Sequence, residues 1–248
     1  NLEANKVGIQ LNALVVDHQL QNGSGDVALN AQKKIIELGI TEANVAQVSV
    51  NEDVGNGGLE AAARRARYDA LDVEADRIGA VAIFLGHTED DLAETVLLGL
   101  ARGSGTRSLS GMSVENGIYL RPLLQITREE TVAACSELGI EPWNDPHNGN
   151  ADFSRVRVRN EVLPVMEEKL GPGISAALAR SAGILRDDAD ALDEIAQSEI
   201  SVSDLANLDC EHLSTLSRAI RSRVLRAALY AAGAPSGSIT ADHLAGVE

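Results

Sequence analysis

One short stretch of the sequence concentrates side chains that can bind ligands or move protons. GHTEDDLAETVLLGLARGSG spans residues 86–105 and carries one histidine and four carboxylates: His87, Glu89, Asp90, Asp91 and Glu94. Residues three and four positions apart share a helix face, so Asp91 and Glu94 point together. Such a carboxylate pair suits Mg²⁺ or a substrate ammonium group. Acidic residues in a first turn also complement the helix dipole, and for Glu89 that explanation is equally good.

Two groups of arginines have compositions that suit phosphates. Arg64 and Arg67, in ARRARY, share a helix face, although a surface ion pair between Arg64 and Glu60 is the commoner explanation of such spacing. The second group, at steps of two, is Arg155, Arg157 and Arg159. In a helix these three point around the cylinder, whereas in an extended segment they line one side. Phosphate or RNA binding and a solvated surface run are equally good interpretations.

Three further polar features are less specific. The Gly103–Gly105 loop can present backbone N–H groups to a phosphate, but a flexible connection is the commoner role of such a loop. His18 and His147 are isolated in sequence, and isolated histidines are more often structural than catalytic.

The elements that must position these residues alternate between strand and helix. Apolar and β-branched runs predict strands over 11–16, 45–50 and 80–85, and helix-forming composition predicts helices over 25–38, 58–77 and 88–102. AVAIFL at 80–85 is the clearest candidate for a buried strand. Thr88 and Asp91 have capping-box spacing, with Asp in place of Glu.

This alternation predicts an α/β fold with a parallel, doubly wound sheet. Ligands bind at the carboxyl ends of the strands in such sheets. We therefore expect Asp17-His18 and Gly86-His87 at the same rim.

The rest of the chain is predicted to become mostly helical. We expect a loop over 103–117, a short strand at 119–121, a capped helix over 127–138 and an irregular turn at 143–150. Further helices are expected over 156–170, 174–200, 204–208 and 212–232. The break Gly171-Pro172-Gly173 predicts two domains, a nucleotide-binding domain over 1–170 and a helical domain over 171–248.

Composition narrows the class of protein. The net charge of −16 argues against a nucleic-acid partner, whereas the local arginine clusters favour one. Two widely separated cysteines argue against a disulfide scaffold and against a zinc or iron–sulfur site, and they indicate a reducing cytoplasm. No apolar run approaches the roughly 20 residues that span a bilayer, so no membrane partner is expected.

Taken in order, these motifs resemble those of the tRNA(Ile)-lysidine synthetases, a family of PP-loop ATP pyrophosphatases. The family carries GHHxDDQxET followed by RGSG, and this chain reads GHTEDDLAET and then ARGSG. The family has an ARxxRY helix, which is matched at 63–68, and a strand that ends in Asp-His, which is matched at 17–18. It also has an RPL segment, matched at 121–123, and a W-x-DPSN-like turn, matched at 143–148. An arginine-rich helix start ending in Leu-Pro is matched at 155–164, and the likeness covers about residues 10–200.

The resemblance implies a two-step reaction that consumes ATP with Mg²⁺. The wobble cytidine of tRNA(Ile) is adenylated with release of pyrophosphate, and the ε-amine of L-lysine then displaces AMP. Asp91 and Glu94 would hold the lysine ammonium group and help deprotonate it, and Arg67 or Arg64 would stabilise the phosphates. His87, Asp17, His18 and Gly86 would lie near the nucleotide, with Asp90 in the substrate site and as a Mg²⁺ ligand. The tRNA backbone would contact Arg155, Arg157 and Arg159.

Some family features differ. Leu92 stands where the family has Gln, and Thr88 replaces the second His as a helix cap. The SGGxDS loop that binds ATP does not occur in these residues, and we expect it just before residue 1.

Two alternatives remain open from the sequence. One is another PP-loop enzyme, amide-forming or RNA-thiolating, and the other is a non-catalytic relative that binds RNA. The sequence does not decide the oligomeric state, and a homodimer is the assembly that we carry forward.

Overall fold

In the computed structural model of this chain, the structure describes residues 4, 6–50, 58–143, 145, 149–235 and 239–247. The chain divides into two compact units. The first comprises Asn1–Gly86 and Val114–Pro122, and the second comprises His87–Ser113 and Leu123–Glu248. His147 and part of the turn predicted at 143–150 lie outside the described residues.

Within the described residues, the first unit contains five strands and two long helices. They are β1 (Asn12–Asp17), α1 (Ser24–Glu37), β2 (Glu42–Gln47), α2 (Gly58–Ile78), β3 (Ile83–Phe84), β4 (Glu115–Asn116) and β5 (Tyr119–Leu120). β1 pairs with β2 in parallel, from Asn12 opposite Glu42 to Asp17 opposite Gln47. The predicted parallel pairing is confirmed. β2 starts three residues earlier than predicted, because its pairing with β1 rather than its β-branched residues sets its bounds.

The strands of the first unit lie in two hydrogen-bonded sheets. β1 and β2 form one, and β3, β5 and β4 form the other in that order, with β3 parallel to β5. Because β1 and β3 do not share a sheet in the described residues, the expected common rim of Asp17-His18 and Gly86-His87 stays a prediction.

The prediction of a buried strand over residues 80–85 was wrong. β3 has two residues, and Val81 and Phe84 are 90% and 62% exposed. An apolar run is buried only where other elements cover both of its faces. Among the described residues β3 is an edge strand with β5 as its strand neighbour.

The second unit is helical. Its elements are α3 (Glu89–Ala101), α4 (Thr106–Leu109), α5 (Arg128–Glu137), α6 (Ser154–Arg157), a π-helix (Val158–Val162), α7 (Leu163–Leu170), α8 (Ile174–Val202), α9 (Cys210–Thr215), α10 (Arg218–Ala231) and α11 (Ala241–Ala245). The helices predicted to begin near Thr88, Thr127 and Ile174 are confirmed to within a few residues.

Three predictions for this part were wrong in detail. The 103–117 loop contains α4 and β4, and 204–208 forms a turn rather than a helix. The helix predicted over 212–232 is two helices separated at Leu216-Ser217. The first of these helices, α9, begins after Asp209 because the Asp209 carboxylate accepts hydrogen bonds from the backbone N–H groups of Glu211 and His212 and so caps the helix.

Alanines on α8 allow close packing in the second unit. Ala182, Ala189 and Ala196 recur every seven residues and are at most 1% exposed. Ala182 lies in an apolar cluster with Leu92, Val96 and Leu124. Leu92, where the family has Gln, therefore makes apolar contacts in the core.

A buried turn follows α4 and depends on a glycine. Gly111 has φ 59°, and a Cβ there would lie 2.5 Å from Cδ1 of Leu92. Arg186 of α8 donates hydrogen bonds to the carbonyls of Ser110 and Met112 on either side of it. The segment after the Gly103–Gly105 loop is thus fixed against α8. No helix in the described part of the chain has the length and apolarity needed to cross a membrane.

Candidate active site

The predicted carboxylate helix begins with the expected cap. The backbone N–H and the hydroxyl of Thr88 both donate to Oδ2 of Asp91, each at 2.9 Å. This is the reciprocal half of a capping box, with Asp serving as Glu does elsewhere. The interaction fixes Asp91 at the first turn of α3 and leaves its other oxygen, Oδ1, for different partners.

Glu94 lies one turn further along α3 and is fully buried between arginines. Arg159 binds it through both oxygens, with Nε 2.7 Å from Oε1 and Nη2 3.1 Å from Oε2. Nε of Arg155 lies 3.2 Å from Oε2, and Nη2 of Arg155 donates to the Thr95 hydroxyl at 2.7 Å. A buried carboxylate needs such partners, because an unpaired one would lose its hydration without replacement.

Arg128 completes what we call the carboxylate cluster, formed by Asp91, Glu94, Arg128, Arg155 and Arg159. Its backbone N–H donates to Oδ2 of Asp90 at 2.7 Å. Its Nη2 lies 3.3 Å from Oδ1 of Asp91 and 3.4 Å from Oε1 of Glu94. Our sequence reasoning missed this residue. A signal existed, because an arginine in the first turn of a helix opposes the helix dipole and so calls for a nearby acidic partner.

The cluster shifts the pKa values of its own groups. Burial raises the pKa of the Asp91 carboxyl, but the hydrogen bonds from Thr88 and the charges of Arg128 and Arg155 outweigh burial and leave that pKa below its usual value. The hydrogen bond to Glu94 raises the pKa of Arg159. Asp91 is therefore ionised at neutral pH, as a receptor for an ammonium group must be.

The three arginines at steps of two do not act as one row. They lie on α6 and the π-helix, so the helical alternative is the one observed. Arg155 and Arg159 are four apart and meet the same carboxylate, whereas Nη1 of Arg157 donates to the carbonyls of Ala151 and Asp152. Arg157 thus fixes the preceding loop.

The predicted nucleotide-binding pair lies at the end of β1. Asp17 is buried, and its Oδ1 accepts the backbone N–H of Gln19, which has a positive φ of 55°. A Cβ on Gly25 would lie 3.8 Å from Oδ2 of Asp17. Burial lowers the pKa of His18, as does the charge of Arg67, while Asp17 raises it; the net shift is downward. His18 is therefore neutral at pH 7.

Two arginines and two tyrosines of the first unit lie together in what we call the tyrosine cluster: Arg64, Tyr68, Tyr119 and Arg121. Nη2 of Arg64 donates to the Tyr68 hydroxyl at 3.0 Å, and its guanidinium carbon lies 4.7 Å from the ring centroid. Buried Arg121 donates to the same hydroxyl at 3.3 Å. The rings of Tyr68 and Tyr119 have centroids 4.9 Å apart. The predicted site residue Arg64 is thus oriented by a neutral partner.

The remaining predicted residues have mixed surroundings. Gly86 is exposed, and a Cβ there would meet nothing within 4 Å. His87 is half-buried with its Nδ1 enclosed. The described residues contain no group of three His, Cys, Asp or Glu placed to hold a metal ion.

Family models divide the chain between a nucleotide-binding fold and a substrate-binding region. Residues 2–166 match the PP-loop domain, and residues 208–248 match the TilS substrate binding domain. The fold and the site therefore define a PP-loop protein.

Similar proteins show which family of PP-loop proteins this is. The chain is 50% identical to a tRNA(Ile)-lysidine synthase of Thermobifida fusca over 97% of this chain and 74% of that protein. It is 47% identical to one of Streptomyces coelicolor over 99% of this chain and 70% of that protein. The chain belongs to the tRNA(Ile)-lysidine synthase family.

A solved structure supports the fold alone. The U34-tRNA thiolase NcsA from Methanococcus maripaludis, with its [4Fe-4S] cluster, superposes with a TM-score of 0.60 at 18% identity, over 75% of this chain and 66% of that chain. The PP-loop fold with a helical C-terminal region, predicted from the motifs, is confirmed.

Proposed function

We propose that this chain catalyses the ATP-dependent ligation of L-lysine to the wobble cytidine of tRNA(Ile). The observation that carries the proposal is the carboxylate cluster, in which Asp91 and Glu94 form ion pairs with guanidinium groups. A chain half identical to lysidine synthases over nearly its whole length supports the same reaction.

Lysine handling is assigned to Asp91 and Glu94. Oδ1 of Asp91 has only contacts of 3.3 Å and 3.6 Å with arginines, so it is the carboxylate oxygen best able to accept a substrate ammonium group. Glu94 already binds cations on both oxygens, and a lysine ammonium group would take the place of one of them. Ionised carboxylates at this position both bind the amine and accept its proton when it attacks.

ATP handling is assigned to the first unit, with His87 as a further substrate contact. Asp17 ends β1, and His18 and Gly86 come just after β1 and β3. Arg64 and Arg67 would supply positive charge for the phosphates. Mg²⁺ is bound in many ATP sites by one or two carboxylates and by the phosphates themselves. Asp90 keeps one oxygen for it, since the Arg128 N–H takes the other. The ion would neutralise phosphate charge during adenylation.

RNA contact is assigned to the exposed parts of Arg155, Arg157 and Arg159. Arg155 and Arg159 are about a quarter exposed even while they bind Glu94, so part of each guanidinium can meet a phosphate. We assign the helical domain, residues 171–248, to tRNA docking or to a linker, and residues 1–170 to nucleotide binding. We place the reaction in the cytoplasm and the protein in a homodimer, which light scattering of the full-length protein tests.

Pyrophosphate release tests the function directly. Purified full-length protein is assayed with ATP and either tRNA(Ile) or the same tRNA with uridine at the wobble position. We expect release with the first only, and lysine-dependent AMP release thereafter. Pyrophosphate release that is independent of tRNA would contradict the proposal, and incorporation of sulfur would favour a thiolating enzyme.

A further inference from the structure

Among the guanidinium groups of the carboxylate cluster, that of Arg128 is held least tightly. Its two ion-pair distances are 3.3 Å and 3.4 Å, whereas Arg159 reaches Glu94 at 2.7 Å. Its side chain is 34% exposed, against 25% and 24% for Arg155 and Arg159. Arg128 is therefore the cation that leaves this cluster at the lowest cost.

The side chain of Arg128 can move without moving its helix. The N-terminus of α5 is fixed by the Thr127–Glu130 capping box and by the backbone N–H of Arg128, which donates to Asp90. None of these contacts involves the guanidinium group. Among the described residues, a rotation about the side-chain bonds of Arg128 therefore breaks the two long ion pairs and leaves the helix N-terminus in place.

The atom position matters as much as the weak contacts. Nη2 of Arg128 bridges Oδ1 of Asp91 and Oε1 of Glu94. A substrate ammonium group bound by this carboxylate pair needs the same position, and two cations in contact repel each other. Occupation by Arg128 and occupation by lysine exclude each other.

We propose that Arg128 is a specificity-determining residue, an internal cation that fills the ammonium position between Asp91 and Glu94 until lysine displaces it. This proposal rests on the proposed function, because it assumes that lysine binds these two carboxylates. Because one cation replaces the other, Asp91 and Glu94 have a cationic partner both with and without bound lysine. The exchange also selects among amines, since an amine whose binding free energy from the rest of the site is too small cannot displace the arginine.

Kinetics with full-length protein, ATP and tRNA(Ile) test the exchange. Arg128→Gln removes the competing charge, so the KM for lysine should fall roughly twofold to fivefold, as expected for a partly exposed ion pair, with kcat changed less than about twofold. Arg128→Lys keeps an internal cation and should stay near the wild-type KM. Arg77→Gln makes the same change of net charge at an exposed site paired with Glu74 and should change nothing.

The outcomes separate this proposal from the function. If wild-type protein forms no lysidine, the proposed function fails. If wild-type protein forms lysidine while Arg128→Gln has an unchanged or higher KM for lysine, only the role of Arg128 is overturned. A higher KM would mean that Arg128 contacts lysine directly.

A structure of the wild-type protein with lysine gives a test that does not depend on the folding of a variant. We expect the Arg128 guanidinium to have left Asp91, with the lysine ammonium in its place. A guanidinium still within ion-pair distance of Asp91 beside bound lysine would overturn the proposal.

Discussion

The tyrosine cluster and the carboxylate cluster both contain arginines, but the arginines have a neutral hydroxyl as partner in the first and a carboxylate in the second. In the first, Arg64 and Arg121 donate to the neutral hydroxyl of Tyr68. In the second, Arg155 and Arg159 meet the buried carboxylate of Glu94. A neutral partner orients a guanidinium group without cancelling its charge, whereas a carboxylate cancels it.

A cluster of arginines therefore does not by itself identify a phosphate-binding site. Arg64 of the tyrosine cluster donates to a hydroxyl, which leaves its positive charge available, so we expect it to suit the phosphates of ATP. The carboxylate cluster carries nearly balanced charge and so suits an amino acid that brings both signs. Substitutions on each side of this comparison should affect different steps of the reaction.

The largest effect is expected from Glu94→Gln. It leaves the guanidinium groups of Arg155 and Arg159 without their main counter-charge, so we expect kcat/KM for lysine to fall roughly a hundredfold or more. Stability should fall by about 2–4 kcal/mol, because one partner of a buried ion pair is removed. Steady-state kinetics and urea denaturation measure the two effects.

Glu137→Gln, at an exposed position of α5, is the matched control and should change neither quantity. Normal lysine turnover in Glu94→Gln would show that the cluster is only structural.

The next effect concerns Arg67, which lies on α2 of the first unit, one turn from Arg64 of the tyrosine cluster. Arg67→Ala should slow tRNA-dependent pyrophosphate release roughly tenfold to a hundredfold, because it removes a charge proposed to stabilise the phosphates, and should leave the KM for lysine unchanged. The pKa of His18 should rise toward its ordinary value of 6.5, since the Arg67 charge helps to lower it. NMR titration follows that shift.

Arg65→Ala changes the neighbouring exposed arginine and serves as the control. If Arg67→Ala loses activity only in the lysine step, the assignment of Arg67 to the phosphates is wrong.

A smaller effect is expected from Asp91→Asn, because Asn can keep part of the capping interaction. We expect roughly a tenfold loss in kcat/KM for lysine and about 1 kcal/mol of stability. The native pKa of Asp91 is below its ordinary value of 3.8, so its contribution to stability is complete above that value and is lost as pH falls through the lowered pKa.

Denaturation curves from pH 7 to pH 2 therefore give a check. The acid-induced loss of stability should be smaller in Asp91→Asn than in the wild type. Identical pH dependence in the two proteins would contradict the assigned ion pairs of Asp91.

The smallest effect tests an exposed arginine network. Asp193 of α8 pairs with Arg107 and Arg223, and its side chain is 47% exposed, whereas that of Glu94 is fully buried. Asp193→Asn should cost less than about 1 kcal/mol by thermal denaturation and leave lysine kinetics unchanged. A cost like that of Glu94→Gln would mean that burial does not explain the difference between the clusters.

The sequence predicted those features that depend on local interactions. The capping boxes at Thr88 and Thr127, the long helix from Ile174 and the pairing of Asp91 with Glu94 on one face follow from spacing within a few residues. The ordered motifs added the PP-loop family. The exposed β3 and the division into two hydrogen-bonded sheets were not predictable, because burial of an apolar run depends on distant neighbours.

The order of residues specifies which chemical groups exist and which of them share a turn of helix. Their partners depend on how separate helices pack together. Residues 94, 128 and 159 meet although they are far apart in the chain, so Glu94 became the centre of an arginine cluster and Arg128 the third guanidinium beside it. Short-range spacing fixes direction along a helix, but only packing brings separate helices close enough for charges to pair.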